Sequence, residues 1–238
     1  MKTWGIIGLG WLGLELQNQL RARGDEVWGT RSSEFNFISD SFPDKKADLL
    51  FLNTPPIVSL PPTDYVNKIP AETKKVIFIS STSVYGENTG KIDERTPPRP
   101  KTDAAKWLVE IESKLRAKFG DRLTVIRPGG LIGGDRHPIK SLSRKVEIAD
   151  GNQRIHLIHR DDLIQITILL SVLEGFPLIN AVAPFHPTRR DYYGHWAEKL
   201  NLPKPTFKGG IAEDREIESL FVPSFLKTWK FEKLDALE

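Results

Sequence analysis

The sequence predicts a doubly wound α/β fold: a parallel sheet between helices, followed by a small C-terminal lobe. Three observations carry this. Short apolar runs alternate with helical patterns over most of the chain, which is the signature of repeated β-α-β units. Most of those runs are continuously apolar, as strands buried on both faces of a parallel sheet are. After Val182 the strand signal fades and the composition shifts to Pro, Lys and aromatics.

The strands are expected at Trp4–Gly8, Glu26–Gly29, Leu49–Leu52, Val76–Ile79, Leu123–Ile126 and Leu178–Val182. Between the first two, Leu9, Leu12, Leu16 and Leu20 fall on one helical stripe, and Gly24 ends that helix. Ala104, Leu108, Ile111 and Leu115 form a second stripe, closed by Gly120. Leu163 to Leu173 is apolar nearly all round, so a buried helix is expected there, capped by Asp161 or Asp162. Thr188 with Asp191 resembles a capping box for a fourth helix, ending at Asn201 before Pro203. The proline clusters at Pro55–Pro56, Pro61–Pro62 and Pro97–Pro98–Pro100 mark loops. The division that follows is a core of residues 1–182 and a substrate lobe of 183–238 with loop 129–154, not an independent domain.

Composition narrows the function. At 238 residues, 39% hydrophobic and 27% charged, the chain has the make-up of a soluble globular protein. The net charge of +3 comes from 34 basic and 31 acidic residues, too slight an excess to predict a nucleic-acid or membrane partner. There are no cysteines, which rules out disulfides, thiol nucleophiles and Cys-ligated metal. Lys2 and the apolar run behind it lack a small-residue cleavage site, and Leu163–Leu173 is too short to span a bilayer. A cytoplasmic protein with a small-molecule substrate is expected, as a monomer or homodimer.

Gly8-Leu9-Gly10-Trp11-Leu12-Gly13 is G-x-G-x-x-G, placed after the first strand and opening the first helix. In that context the first glycine makes a tight turn, the second lets backbone approach a pyrophosphate, and the third packs helix on strand. The N–H groups and positive dipole end of the helix then face the phosphates. This is the fingerprint of a Rossmann dinucleotide site. An NAD site would carry Asp or Glu at the end of the second strand to hold the ribose 2′-OH. Here stand Thr30, Arg31 and Ser32, with no carboxylate. Arg31 suits a 2′-phosphate, with Thr30 and Ser32 as further donors, so NADP is expected ahead of NAD. Trp11 and Leu12 of the loop, Asn53 and Thr54 after the third strand, Ser80 after the fourth, and Pro128 and Gly129 after the fifth complete the expected cofactor set.

The stretch Ser80-Ser81-Thr82-Ser83-Val84-Tyr85-Gly86 follows the fourth strand, VIRPGGLIGGDRHP runs from Val125, and RIHLIHRDDL runs from Arg154. Taken together and in this order, these resemble the extended short-chain dehydrogenase/reductases of the NAD-dependent epimerase/dehydratase type. The resemblance covers most of the chain. It implies an oxidoreductase or epimerase acting on a polar substrate, nucleotide sugars being the commonest in that family. It implies that Ser81 bonds the reacting oxygen, and that a Tyr-x-x-x-Lys pair supplies acid/base chemistry and holds the nicotinamide ribose. Lys106 stands in register for the Lys, and Thr102 stands four residues before it. An aliphatic hydroxyl cannot be drawn toward neutrality as a phenol can, so Thr102 reads either as a substrate-orienting residue or as a helix N-cap. The positions before Val84 are Thr82 and Ser83 rather than an Asp-Glu pair, which argues against dehydration. The G-x-G-x-x-G spacing, where extended members usually carry G-x-x-G-x-x-G, together with the absent Tyr resembles the atypical members of the superfamily. A dinucleotide-binding sensor or scaffold without turnover is therefore the other open function.

His156 and His159 are three apart in an expected strand and point to opposite faces, so no metal site is expected. His137, after Gly133-Gly134-Asp135-Arg136, is expected in a loop beyond a strand end. There it either replaces the missing acid/base or is plain surface. Tyr193, Trp196 and Leu200 share a helical face and read as core.

Overall fold

The computed structural model describes residues 2–209 and 215–234. Along the chain run β1 (Thr3–Ile7), α1 (Trp11–Ala22), β2 (Glu26–Thr30), β3 (Leu49–Leu52), α2 (Pro62–Lys68), β4 (Lys75–Ile79), β5 (Gly90–Ile92) and α3 (Asp103–Phe119). There follow β6 (Leu123–Pro128), β7 (Gly130–Ile132), α4 (Ile139–Leu142), β8 (Leu157–His159), α5 (Arg160–Leu170), β9 (Leu178–Ala181), α6 (Arg189–Lys199), β10 (Arg215–Ile217) and α7 (Val222–Phe225). The six expected strands all form, and they make one sheet in the order β2-β1-β3-β4-β6-β9. β1 pairs in parallel with both β2 and β3, β3 with β4, and β4 with β6. The fold is the expected Rossmann-like α/β fold. Every residue of β3 and β6 is buried, as their unbroken apolar sequences require.

The elements the sequence did not announce are short. β5 and β10 form a two-stranded parallel pair, as do β7 and β8. Three residues are too few for a period to show. α2 begins at Pro62, where a loop was expected; proline at the first helical positions loses no hydrogen bond and has its φ already set. α5 starts at Arg160 rather than Leu163, so Asp161 and Asp162 lie in its first turn and neither precedes the helix as a cap. His159 is what anchors this start: its Nδ1 accepts the N–H of Asp161 at 3.1 Å. The Asp162 carboxylate is fully buried and instead accepts the backbone N–H groups of Lys230 (2.7 Å) and Phe231 (3.0 Å). Burial raises its pKa, against the pull of those two bonds.

Two compact units result. One comprises residues 1–87, 98–127 and 164–179; the other comprises 88–97, 128–163 and 180–238. The second therefore contains more than the lobe read from sequence: it also takes in 88–97, 128, 155–163 and 180–182. Glu94 shows why. Its buried carboxylate accepts the N–H of Asn180 (2.9 Å), the Ser219 hydroxyl (2.6 Å) and the N–H of Leu220 (2.9 Å). A single acidic side chain thus ties three separated segments of this unit together. Residues 210–214 and 235–238 of the expected lobe lie outside the described residues. No helix among the described residues is long and apolar enough to cross a membrane.

The core of the second unit is built on Ile132, Ile139, Tyr192, Tyr193 and Trp196, so the aromatic face read from α6 is core as expected. His137 also lies here, 4% exposed, which corrects the expected surface loop. Its Nε2 meets the Tyr192 hydroxyl at 3.0 Å and its Nδ1 accepts the N–H of Ile139 at 3.2 Å. Burial, and secondarily Lys140, lowers its pKa to about 4, which keeps it neutral near pH 7. The loop turns inward because both ring nitrogens find partners there, while Trp196 packs 4.9 Å from the imidazole.

Candidate functional site

The glycine loop closes over the ends of β1 and β3. Gly8 sits at φ +109°, and a Cβ there would lie 2.5 Å from the Asn53 carbonyl oxygen. A Cβ at Gly13 would lie 2.2 Å from the Gly8 carbonyl oxygen. Both positions are glycine because backbone passes too close for anything else. Gly10 differs. It precedes α1 in an ordinary extended conformation, and a Cβ added to it meets nothing within 4 Å. No side chain caps α1, and its first turn holds no acid. The opening of this helix is therefore left for an anion from outside, which fits a pyrophosphate. The loop is held to the end of β2 by the Leu9 N–H, which donates to the Thr30 carbonyl at 2.7 Å, and to β3 by Asn53 Nδ2, which donates to the Gly8 carbonyl at 3.2 Å.

This loop borders a cleft of about 570 Å³, shared with Thr30–Ser33 and Asn53–Pro55. Arg31 and Ser32 are exposed on its wall, and among the described residues no carboxylate pairs with Arg31. Thr54, at the far side, meets the Tyr65 hydroxyl at 3.1 Å, and the Tyr65 ring stacks on Phe37 at 4.1 Å. The structure brings together Gly8, Gly10, Thr30, Arg31, Ser32, Asn53 and Thr54 of the expected cofactor set, with Trp11, Leu12 and Gly13 beside them in α1.

Asn53, Thr54 and Pro55 also border a second compartment of about 320 Å³. Here Ser80 and Ser81 face Ala104 and Leu108 of α3. Thr102 and Lys106 are not part of its wall. Thr102 is the N-cap of α3, its hydroxyl accepting the N–H of Ala105 at 3.2 Å. Lys106 is exposed and bonds Asp103 at 3.3 Å. Of the two readings of Thr102, the cap is the one the geometry shows, and the face turned to the serines carries Ala104 and Leu108. The reason is helical phase: residues two apart differ by roughly 200°, so Thr102/Lys106 and Ala104/Leu108 point nearly opposite ways. Thr102→Ala should accordingly lower stability by about 1 kcal/mol, the value of a lost N-cap. Urea melts and dinucleotide titration check this together, the second of which should not move.

One turn further along the same face, α3 carries Glu112, and sequence reasoning missed it. Glu112 is 9% exposed and Arg127 of β6 is 4% exposed. Arg127 Nη2 donates to Glu112 Oε2 (2.5 Å), its Nε to Oε1 (3.0 Å), and its Nη1 to the buried Tyr85 hydroxyl (2.8 Å). The Ser80 hydroxyl donates to Glu112 Oε1 at 2.5 Å. Burial alone would lower the Arg127 pKa, but the Glu112 carboxylate and then Tyr85 raise it on balance. Tyr85 is thereby engaged in the interior. The available signal was a charge at i+8 from Ala104 and i+4 from Leu108, on a face otherwise apolar. Of the remaining expected residues, Pro128, Gly129 and His137 belong to the other unit. Gly129 donates its N–H to the Ala181 carbonyl at 2.9 Å, and a Cβ on it would lie 2.4 Å from the His156 carbonyl oxygen.

No family model matches the chain. Protein YeeZ of Escherichia coli K12 is 32% identical over 243 residues, covering 89% of this chain and 88% of YeeZ. The chain belongs to the family of YeeZ. Among solved structures, a functionally unknown conserved protein from Silicibacter pomeroyi matches over 100% of both chains, with TM-score 0.81 and 20% identity. UDP-glucuronic acid 4-epimerase from Bacillus cereus, in complex with NAD, matches over 97% of this chain and 93% of its own, with TM-score 0.78 and 15% identity. RMD from Pseudomonas aeruginosa, complexed with NADPH, covers 91% of this chain and 88% of its own at TM-score 0.73 and 17% identity. The YeeZ-family chain thus has the fold of the NAD-dependent epimerase/dehydratase type of short-chain dehydrogenase/reductase. That fold is what the serine, Val-Tyr-Gly and Arg-Pro-Gly-Gly elements had implied.

Proposed function

We propose that this YeeZ-family chain binds a nicotinamide dinucleotide, NADP ahead of NAD, without the tyrosine–lysine proton transfer that its resemblance to the extended short-chain dehydrogenase/reductases implies. The observation that carries the reading is the contrast between two surfaces. The glycine loop offers an uncapped helix opening beside Arg31, which pairs with no carboxylate among the described residues. The face of α3 turned to Ser81 offers Ala104 and Leu108, which can neither give nor take a proton.

A bound nicotinamide dinucleotide supplies hydride transfer. The chain's own part is to bind and orient. Gly10 leaves space for the pyrophosphate, the first-turn N–H groups of α1 face it, and Arg31 with Thr30 and Ser32 holds a 2′-phosphate by charge-assisted hydrogen bonds. Ser81 Oγ accepts the N–H of Ser83 at 3.0 Å, and its own hydrogen is left to orient a substrate oxygen. That uncommitted donor supports a second reading: an oxidoreductase or epimerase acting on a polar substrate such as a nucleotide sugar, with an acid/base other than a residue of α3. Two neighbours with NAD or NADPH, one of them an epimerase of a UDP-sugar, point the same way.

Titration of nicotinamide fluorescence tests the binding. NADPH is expected to bind more tightly than NADH. Arg31→Ala should weaken NADPH by about 1–3 kcal/mol, the range for hydrogen bonds to a charged group, and leave NADH nearly unchanged. Equal affinities in the unaltered protein would remove the role given to Arg31. Oxidation of bound NADPH by a keto-sugar nucleotide, or epimerisation of a UDP-sugar, would favour the second reading.

A further inference from the structure

Contacts inside the second unit pin the short segment Lys230–Leu234. The Asp162 carboxylate accepts the N–H groups of Lys230 and Phe231, and Asp161 Oδ2 meets Lys230 Nζ at 2.7 Å. The Phe231 ring centroid lies 3.6 Å from that of His159. Tyr192 donates its hydroxyl to the Leu234 carbonyl at 3.1 Å. The single hydroxyl hydrogen of Tyr192 goes to that carbonyl, so the 3.0 Å contact with His137 is a bond donated by Nε2–H. Nδ1 of the same ring accepts the N–H of Ile139, which fixes His137 as the neutral Nε2–H tautomer. His159 is fixed in the same way, because its Nδ1 accepts the N–H of Asp161. Its Nε2 is buried without a hydrogen-bond partner among the described residues. Each ring thus holds the backbone N–H two residues on, at the start of α4 or of α5. A proton on Nδ1 turns that acceptor into a donor and sets N–H against N–H. His159 is 1% exposed and His137 4%, so the displaced groups lose their partners at buried sites. At α5 the new charge also sits at the positive end of the helix dipole.

We infer that His137 and His159 form an acid-released latch on Lys230–Leu234: protonation of the two rings frees this segment while the first unit stays folded. The first unit holds no histidine. His159 faces Asp161 and Arg160 of α5 and Lys230 of the segment. His137 faces Lys140 of α4 and Tyr192 and Tyr193 of α6, with no carboxylate among these. Burial is the main reason that both folded pKa values are lowered to about 4, against about 6.5 for a released histidine. The latch is therefore intact above about pH 6.5 and weakens as pH falls toward 4. At pH 5 each ring weakens it by about 30-fold relative to neutral pH. Asp161 stays ionised across this window: burial raises its pKa, but the bond to Lys230 holds it below the ordinary carboxylate value. Asp162 acts in the opposite sense, because burial raises its pKa on balance. Two rings against one carboxyl leave a net proton taken up on release.

Hydrogen exchange of the full chain, with no ligand added, tests this at about pH 7.5 and about pH 5. The readout is the protection of the Lys230 and Phe231 amides, each rate taken against the intrinsic rate at that pH. Protection is expected to fall at least tenfold at the lower pH, while amides of β3 and β4 change less than threefold. A fall below tenfold at Lys230 and Phe231, or an equal fall in β3 and β4, overturns the inference. His137→Asn combined with His159→Asn gives the second readout. Asn Oδ1 keeps an acceptor for the N–H two residues on and does not titrate. His156 and His186, which pack on each other at 4.8 Å, are left unchanged as a control for other histidines of this unit. In the folded double variant, protection should change less than threefold between the two pH values. A change of threefold or more there assigns the sensitivity to groups other than His137 and His159 and overturns the latch. Should the double variant fail to fold, ring-proton chemical shifts of the unaltered protein decide. Both rings should titrate together with the loss of protection, and rings that titrate while protection holds would refute it.

Discussion

Replacing Glu112 with alanine should lower the free energy of unfolding by about 3–5 kcal/mol, the cost of leaving a buried charge without its partner. Arg127 is 4% exposed, and the substitution removes two of the three hydrogen bonds its guanidinium makes among the described residues, together with the acceptor of the Ser80 hydroxyl. The damage comes from what remains: a guanidinium between β6 and α3 whose charge nothing balances. Removing both charges should be milder than removing one. Glu112→Leu with Arg127→Met should recover a large part of the loss, because apolar side chains of similar volume need no desolvation. Urea unfolding of the single and double variants gives the comparison. A single-variant loss below about 1 kcal/mol, the scale of an exposed pair, would mean that water reaches the guanidinium.

Gly10→Val should abolish dinucleotide binding while the protein stays folded. The two halves of that statement have separate causes. A Cβ at Gly10 meets no atom of the chain within 4 Å, and the residue's φ of −81° suits a branched side chain, so the fold tolerates it. The space it would fill is the approach to the first turn of α1, where backbone must come close to the pyrophosphate. Gly13→Ala supplies the opposite control. Its Cβ would lie 2.2 Å from the Gly8 carbonyl, so it should unfold the loop instead of blocking it. Circular dichroism melts and NADPH titration on both variants separate the effects. Normal NADPH affinity in a folded Gly10→Val protein would show that the motif serves only as a turn.

Much of the first unit was legible in the chain itself. Strands buried on both faces must be apolar at every position, so LLFL and VIFI announce themselves without any partner being known. The glycine loop was legible for a similar reason: only glycine fits where Gly8 and Gly13 face backbone at under 3 Å. The missing carboxylate after β2 and the N-cap reading of Thr102 also needed nothing beyond local rules.

Other features depended on contacts across long sequence separations, which local rules cannot see. Lys106 stood in register for the lysine that the family resemblance implies, but register does not say which way a helix face is turned. Packing of α3 decided that, and it turned Ala104, Leu108 and Glu112 inward. Glu112 and Arg127 are 15 residues apart, and Glu94 and Leu220 are 126 apart. His137 read as loop from its glycine-rich approach, yet it is buried because Tyr192, 55 residues away, offers it a hydroxyl. Sequence by itself determined the sheet, the glycine loop and the absence of a tyrosine from the start of α3. Only the tertiary structure decided which side chains face Ser81 and which polar groups are left to meet a ligand. A buried polar group is settled by its partner, and the partner is chosen by the fold.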